Sequence, residues 1–433
     1  MVLLTSLWAI TKNSFAEITR QPIYGILVVA GMALIAFSPT VTAYTMMEDV
    51  KLVMDMGLGT IFVAGIVLSV LSASQVVSRE VETRTAGAVL SKPVDRLVFI
   101  VGKFLGVAIA MALASYLLTV ILVMTVRMGV PTTASYTIDA PVFLGEAVPF
   151  LVAVGLGVYA NYFYRWNFTS TAVVLALPLY TLALVALFFV TKKWEFDWIA
   201  GSFLELHCDQ VALAAMLVLL GVLVIAAVAV AASTRLNVVS NVVVCAGVFL
   251  VGMISQYLFG WAVDYQADLW MVGPGGRSVS IAGRVVDSEG KMLPGVRLMG
   301  LPGGVRSGRD GSYRAEVRYA SSGTVRPERS GYALSPAYRE YANLVADARD
   351  ENYTGTAYEA GVAGYARSLW KGTAWVAYHV LPSFQLFWVA DQLIRPEPYI
   401  PIHYVGMAVL YAVSWCAAMV ALGAFLFEKR EVI

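Results

Sequence analysis

Residues 211–232 read VALAAMLVLLGVLVIAAVAVAA, from Val211 to Ala232, with no charge, no proline and no amide or hydroxyl side chain. As a helix this run extends about 33 Å, enough to cross the hydrocarbon core of a bilayer. It has no polar stripe, so no face of it is suited to water. Seven further runs of similar character flank it: Ile23 to Tyr44, Met56 to Val77, Val98 to Val126, Val142 to Tyr162, Ser170 to Val190, Val238 to Val263 and Tyr404 to Phe427. The chain therefore reads as a polytopic α-helical membrane protein with about eight spans.

The composition agrees. Of 433 residues 59% are hydrophobic and 14% are charged, with a mean hydropathy of +0.73. A soluble chain would carry about 25% charge, so a soluble enzyme and a disordered chain are both excluded. A net charge of +1 offers nothing to a nucleic acid. The charge is uneven: 22 of the 59 charged residues fall between Met271 and Glu359. That stretch is water-soluble material set into a membrane protein.

Orientation follows from Lys and Arg in the short connections. With the N-terminus in the cytoplasm, the inner segments hold Lys12, Arg20, Arg79, Arg84, Lys92, Arg96, Lys103, Arg165, Arg235, Lys429 and Arg430. The short outer loops hold Lys51, Arg127, Lys192 and Lys193. Both termini are thus expected in the cytoplasm, and residues 264–402 outside the cell (plasma) membrane, in the periplasm or its equivalent. The opening is not read as a cleavable signal. Leu4, Trp8, Phe15 and Ile18 instead recur at helical spacing around Lys12, Glu17 and Arg20, which predicts a cytoplasmic interfacial helix over residues 1–22. Residues 23–264 form a seven-span transmembrane domain. Residues 360–402, rich in aromatics and broken by Pro382, read as an external interfacial or re-entrant piece, and residues 403–433 as the last span and tail.

Within residues 271–359 the period changes to two. Tyr313, Ala315 and Val317 alternate with Arg314, Glu316 and Arg318 after the turn Arg309-Asp310-Gly311, and Val279 and Ile281 alternate with Ser280 and Ala282. Short strands split by Gly, Pro and Asp turns predict a small antiparallel β-sandwich. The segment resembles a carboxypeptidase regulatory-like domain, through Ile281-Ala282-Gly283-Arg284-Val285-Val286-Asp287, Leu293-Pro294-Gly295-Val296, Asp310-Gly311-Ser312-Tyr313, Gly331-Tyr332-Ala333-Leu334-Ser335-Pro336 and Asn352-Tyr353-Thr354-Gly355-Thr356. That resemblance implies an immunoglobulin-like fold and a structural or binding role, not catalysis.

Between the second and third spans, residues 78–97 form a short charged inner loop in which Pro93 breaks any helix. Taken by composition, it is a solvated loop. Its order of residues resembles the coupling segment of ABC transporter permeases of the ABC-2 exporter class, in the branch named for multicopper-enzyme maturation. The matching residues are Glu80 to Arg84, Leu90-Ser91-Lys92-Pro93-Val94, Arg96 and Gly102-Lys103-Phe104-Leu105-Gly106. The opening Phe15-Ala16-Glu17-Ile18-Thr19-Arg20-Gln21-Pro22 and the closing Phe427-Glu428-Lys429-Arg430-Glu431 are similar to the same class.

The resemblance implies a permease subunit coupled to a separate ABC ATPase subunit through Glu80, Glu82, Arg84, Lys92 and Arg96, working with a second permease copy or homologue. The chain has no Gly-x-x-x-x-Gly-Lys-Ser/Thr phosphate loop, so ATP and Mg would sit on the partner and this chain would bind no cofactor of its own. The alternative is a non-transporting scaffold that presents the β-sandwich outside the membrane. The spans read as nearly free of ionisable side chains, which favours ATP-driven over ion-coupled transport. Asn161, Gln256 and Tyr257 are candidates for a translocation path, each with an interhelical hydrogen bond as the plainer role. Cys245 and Cys416 lie in apolar runs. Cys208, beside His207 and Asp209, has no second ligand cluster, so no metal site is expected.

Overall fold

The computed structural model describes residues 2–42, 49–78, 96–129, 139–196, 208–259, 278–301, 305–319, 321–329, 332–357, 373, 374, 376, 377, 380–393 and 400–428. Two compact units are present, Met1–Leu250 with Phe384–Ile433, and Val251–Ser383.

The first unit is a helical bundle. Its helices are α1 (Val2–Thr19), α2 (Pro22–Thr42), α3 (Asp49–Ala73) with a π turn at Ser74–Ser78, α4 (Arg96–Met128), α5 (Ala140–Tyr164), α6 (Phe168–Phe188), α7 (Cys208–Ser233), α8 (Val238–Phe259), the short α9 (Ala390–Leu393) and α10 (Ile402–Glu428). Among the described residues eight helices, α2 to α8 and α10, are long and apolar enough to cross a membrane. The chain is a multi-pass membrane protein. α4 and α7 are the most enclosed and pack on each other, on α3 and on α10. α5 and α6 form a hairpin beside α4. The large side chains left exposed on this hairpin include Phe143, Leu151, Leu182 and Val185, as suits a lipid-facing surface.

Local chemistry fixes the hairpin. Asp139 caps α5 by accepting from the Val142 N–H at 3.2 Å, and Pro141 follows where no helical donor is needed. Arg165 ends α5 in the left-handed region at φ 55°, and Asn167 caps α6 by accepting from the Ser170 N–H at 3.1 Å. Only Arg165, Trp166 and Asn167 separate the two helices.

The turn Phe384–Phe387 and α9 are buried among the helices. Phe384 and Phe387 are fully enclosed, and the Phe62 ring stands 5.2 Å from Phe249 and 6.3 Å from Phe384. The Tyr404 hydroxyl donates to the Leu386 carbonyl at 2.6 Å, which ties the turn to α10.

The second unit holds two sheets, β3-β1-β7-β5 and β2-β4-β6, built from β1 (Ser278–Asp287), β2 (Arg297–Met299), β3 (Ser312–Arg318), β4 (Ser321–Glu328), β5 (Tyr332–Ser335), β6 (Arg339–Leu344) and β7 (Tyr353–Ala357). They share one core that includes Val279, Ile281, Val285, Leu298, Tyr313, Ala315, Val317, Val325 and Tyr353. The expectation of a wholly antiparallel region is corrected. β1 pairs antiparallel with β3 over residues 278–284, then parallel with β7 over Val285 to Asp287. One long strand can do both because its two halves offer opposite edges to different partners. The chain thus enters at one pole of the sandwich and leaves at the other, about 30 Å away by strand rise. The Asp347 carboxylate accepts from the Ser280 N–H at 2.8 Å, and that bond holds its carboxyl below the usual range.

Candidate functional site

Residues 79–95 carry Glu80, Glu82, Arg84 and Lys92, and these four lie outside the described residues. Arg96 is described and begins α4, exposed. The frame that holds this loop is well defined on both sides. Upstream, α3 closes in the π turn, where Val76 and Val77 are fully buried and the Ser74 hydroxyl accepts from the Asn241 amide at 2.8 Å. The same amide donates to the Ala229 carbonyl at 3.1 Å, so α3, α7 and the head of α8 are tied at one point.

Downstream, α1 lies across the first turns of α4. Gly102 and Gly106 present bare backbone to it. A Cβ on Gly106 would stand 2.5 Å from the Ser14 Cβ and 3.0 Å from the Thr11 carbonyl oxygen, and one on Gly102 would stand 2.8 Å from the Ile10 side chain. Glycines at this small-x-x-x-small spacing let two helices approach at backbone distance. Lys103, between the two glycines, is buried with its ammonium 5.4 Å from the centre of the Phe99 ring, and Phe99 stacks on Phe427 of α10 at 5.6 Å.

Further contacts gather the neighbouring helix ends at this same end of the bundle. The Arg235 guanidinium donates to the Leu426 carbonyl at 2.9 Å, and the Thr19 and Ser170 hydroxyls are 3.3 Å apart. Arg20, Arg96, Arg165 and Arg235 therefore share one end.

The opposite end holds a second polar cluster, for which the sequence gives no local motif. Arg127, at the end of α4, is fully enclosed. It donates to the Leu187 carbonyl and, at 2.5 Å, to the Val190 carbonyl, and its Nε lies 3.5 Å from the Asp139 carboxylate, also fully enclosed. One turn deeper, Glu146 of α5 faces α4 and α6. Thr125 Oγ1 lies 3.1 Å from Glu146 Oε1 and 2.8 Å from the Ile121 carbonyl, and the Tyr180 hydroxyl donates to the Glu146 main-chain carbonyl at 3.0 Å. Pro149, three residues on within α5, has no N–H for the Gly145 carbonyl.

Beside the expectation that the spans are nearly free of ionisable groups stand two ionisable residues within long apolar helices. Lys103 lies inside α4 and Glu146 inside α5. Glu146 falls in the run Val142 to Tyr162 read as a span, among apolar neighbours, whereas Lys103 is among the residues assigned to the inner segments. The apolar run of the third span ends at Val126, one residue before Arg127, so the sequence places Arg127 in an outer loop.

Asn161 is exposed near the end of α5, where its amide donates to the Trp166 carbonyl at 2.6 Å and closes the hairpin turn. Gln256 and Tyr257 fall on α8, and their side chains lie outside the described residues. In the second unit Arg339 pairs with Glu351 at 2.5 Å and the Tyr313 hydroxyl donates to the Glu351 carbonyl at 2.5 Å. Burial there pushes the Tyr353 hydroxyl up to about 12. Among the described residues no three His, Cys, Asp or Glu side chains gather as metal ligands.

Against protein-family models, curated proteins and solved structures alike, the chain finds no match.

Proposed function

We propose that this chain is the membrane-spanning subunit of an ATP-driven exporter of the ABC-2 class, coupled through residues 78–97 to a separate ATPase subunit. The observation that carries the reading is the frame around that loop. The loop is flanked by a buried π turn on one side and, on the other, by α4, whose Gly102 and Gly106 meet α1. A push on a loop flanked this way moves helices, because packed helices yield as units rather than side chain by side chain.

The order Leu90-Ser91-Lys92-Pro93-Val94 followed by Arg96 supports the same reading. So does the gathering of Arg20, Arg96, Arg165 and Arg235 at the end of the bundle next to the loop, which by the positive-inside bias faces the cytoplasm. In that orientation both termini are cytoplasmic and the sandwich lies outside the plasma membrane. Glu80, Glu82, Arg84, Lys92 and Arg96 set register on the ATPase; exposed ion pairs are individually weak but select a partner. ATP and Mg belong to that partner, and a second permease copy or homologue completes the path.

The test is a search for an ABC ATPase encoded beside this chain, and co-purification of the full-length chain with it. Glu82→Lys and Arg84→Glu are each expected to weaken the complex at least tenfold and to uncouple ATP turnover. If both variants assemble and turn over ATP like the parent, the coupling role is wrong. If no such ATPase is encoded nearby or retained, the scaffold reading takes its place.

A further inference from the structure

The Thr125 hydroxyl has one proton and two oxygens within reach. One is the Ile121 carbonyl at 2.8 Å, which can only accept; the other is Glu146 Oε1 at 3.1 Å. The shorter contact takes the hydroxyl proton, as is usual for a threonine inside a helix. The longer contact is then a full hydrogen bond only if Glu146 itself carries a proton. We infer that Glu146 is held as an uncharged carboxylic acid that donates to Thr125, so that α5 carries a bound proton and a carboxyl open to lipid-soluble reagents.

The surroundings agree with this hydrogen-bond count. From α4 the nearest charged group is Arg127, which is engaged by Asp139 and by the Leu187 and Val190 carbonyls. Lys103 stands at the far end of α4, about 33 Å along the helix axis. The Tyr116 hydroxyl, also on α4, pairs with Thr181 at 2.8 Å. From α6 the Tyr180 hydroxyl is directed at the main-chain carbonyl of Glu146 and not at its carboxyl. On α5 the remaining titratable groups are Asp139 at the head and Tyr159, Tyr162 and Tyr164 at the tail. Among the described residues Glu146 thus has no cationic partner. Phe143, Leu144 and Val148 beside it are exposed as lipid-facing side chains would be. An ion here would be costly, whereas a neutral acid with one good acceptor is not.

The inference requires only that α5 crosses a membrane. It stands or falls apart from the exporter reading. The experiment uses the full-length chain in lipid nanodiscs and dicyclohexylcarbodiimide, followed by peptide mass spectrometry. The carboxyl proton moves to one carbodiimide nitrogen while the carboxyl oxygen bonds to the central carbon. The acyl group then migrates to nitrogen, so the whole reagent is retained with no leaving group. At about pH 7, where exposed carboxyls are ionised, Glu146 is expected to be labelled at least tenfold more than Glu289 or Glu316 of the β unit. Label at that position should vanish in Glu146→Gln. Thr125→Val, which removes only the proton acceptor, should leave labelling within twofold. Two outcomes overturn the inference: Glu146 labelled only in acid, like an ordinary carboxylate, or a several-fold rise in Thr125→Val, which would mean that Thr125 was donating to an anion. If Glu146→Gln does not fold, the site-resolved label and its pH profile in the parent chain decide the matter.

Discussion

Arg127 and Asp139 are both fully enclosed, and the carbonyls of Leu187 and Val190 take up the remaining charge of the guanidinium. Once such a pair is buried, loss of one partner strands the other. Arg127→Met should therefore cost about 3–5 kcal/mol. Arg127→Met with Asp139→Leu should cost less than Arg127→Met alone, since no lone anion remains. Thermal unfolding in detergent checks the order of the two variants. At this scale the sequence was only partly legible. Asp139 reads as a cap from its place before Pro141, but its pairing with Arg127 needs the geometry of the turn between α4 and α5. Glu146 was legible as a carboxylate in an apolar run, and averaging over the run hid it.

Among elements, the α1–α4 contact explains the two glycines. Gly102 and Gly106 could be read in the sequence as a helix start, while their purpose depends on which helix lies over them. Here it is α1, which the sequence marks as amphipathic and which the structure lays along α4. Gly106→Leu should destabilise the bundle by about 1–3 kcal/mol, since the clash is with backbone and with a Cβ that cannot swing aside. Gly247→Ala, on α8 with open space around it, is the matched control and should be neutral. Differential scanning fluorimetry reads both variants. In the β unit the alternation of Tyr313, Ala315 and Val317 was legible and holds in β3. The parallel pairing of β1 with β7 was not, because it joins strands from the two ends of the unit and leaves no local pattern.

For the whole molecule, the split in charge density seen in the sequence matches the split into two compact units. The β unit has its own core, so residues 278–356 should be dispensable for membrane insertion of the rest. The replacement has to span the poles of the sandwich; a Gly/Ser linker of about 30 residues has a mean reach near 30 Å. With it, the rest of the chain is expected to insert as the parent does, judged by membrane fractionation. Failure to insert would mean that the β unit is needed to fold the spans.

The parallel pairing of β1 with β7 has a mechanical consequence. Most inserted modules hang from the chain by neighbouring ends, so a pull on the host bypasses them. Here the incoming strand and the outgoing strand lie side by side and point the same way. Tension applied at residues 278 and 357 would run through the module in series and load the Val285–Tyr353, Val286–Thr354 and Asp287–Gly355 pairs in shear. Hydrogen bonds sheared together resist more than bonds peeled one by one, so this unit is arranged as a tie rod.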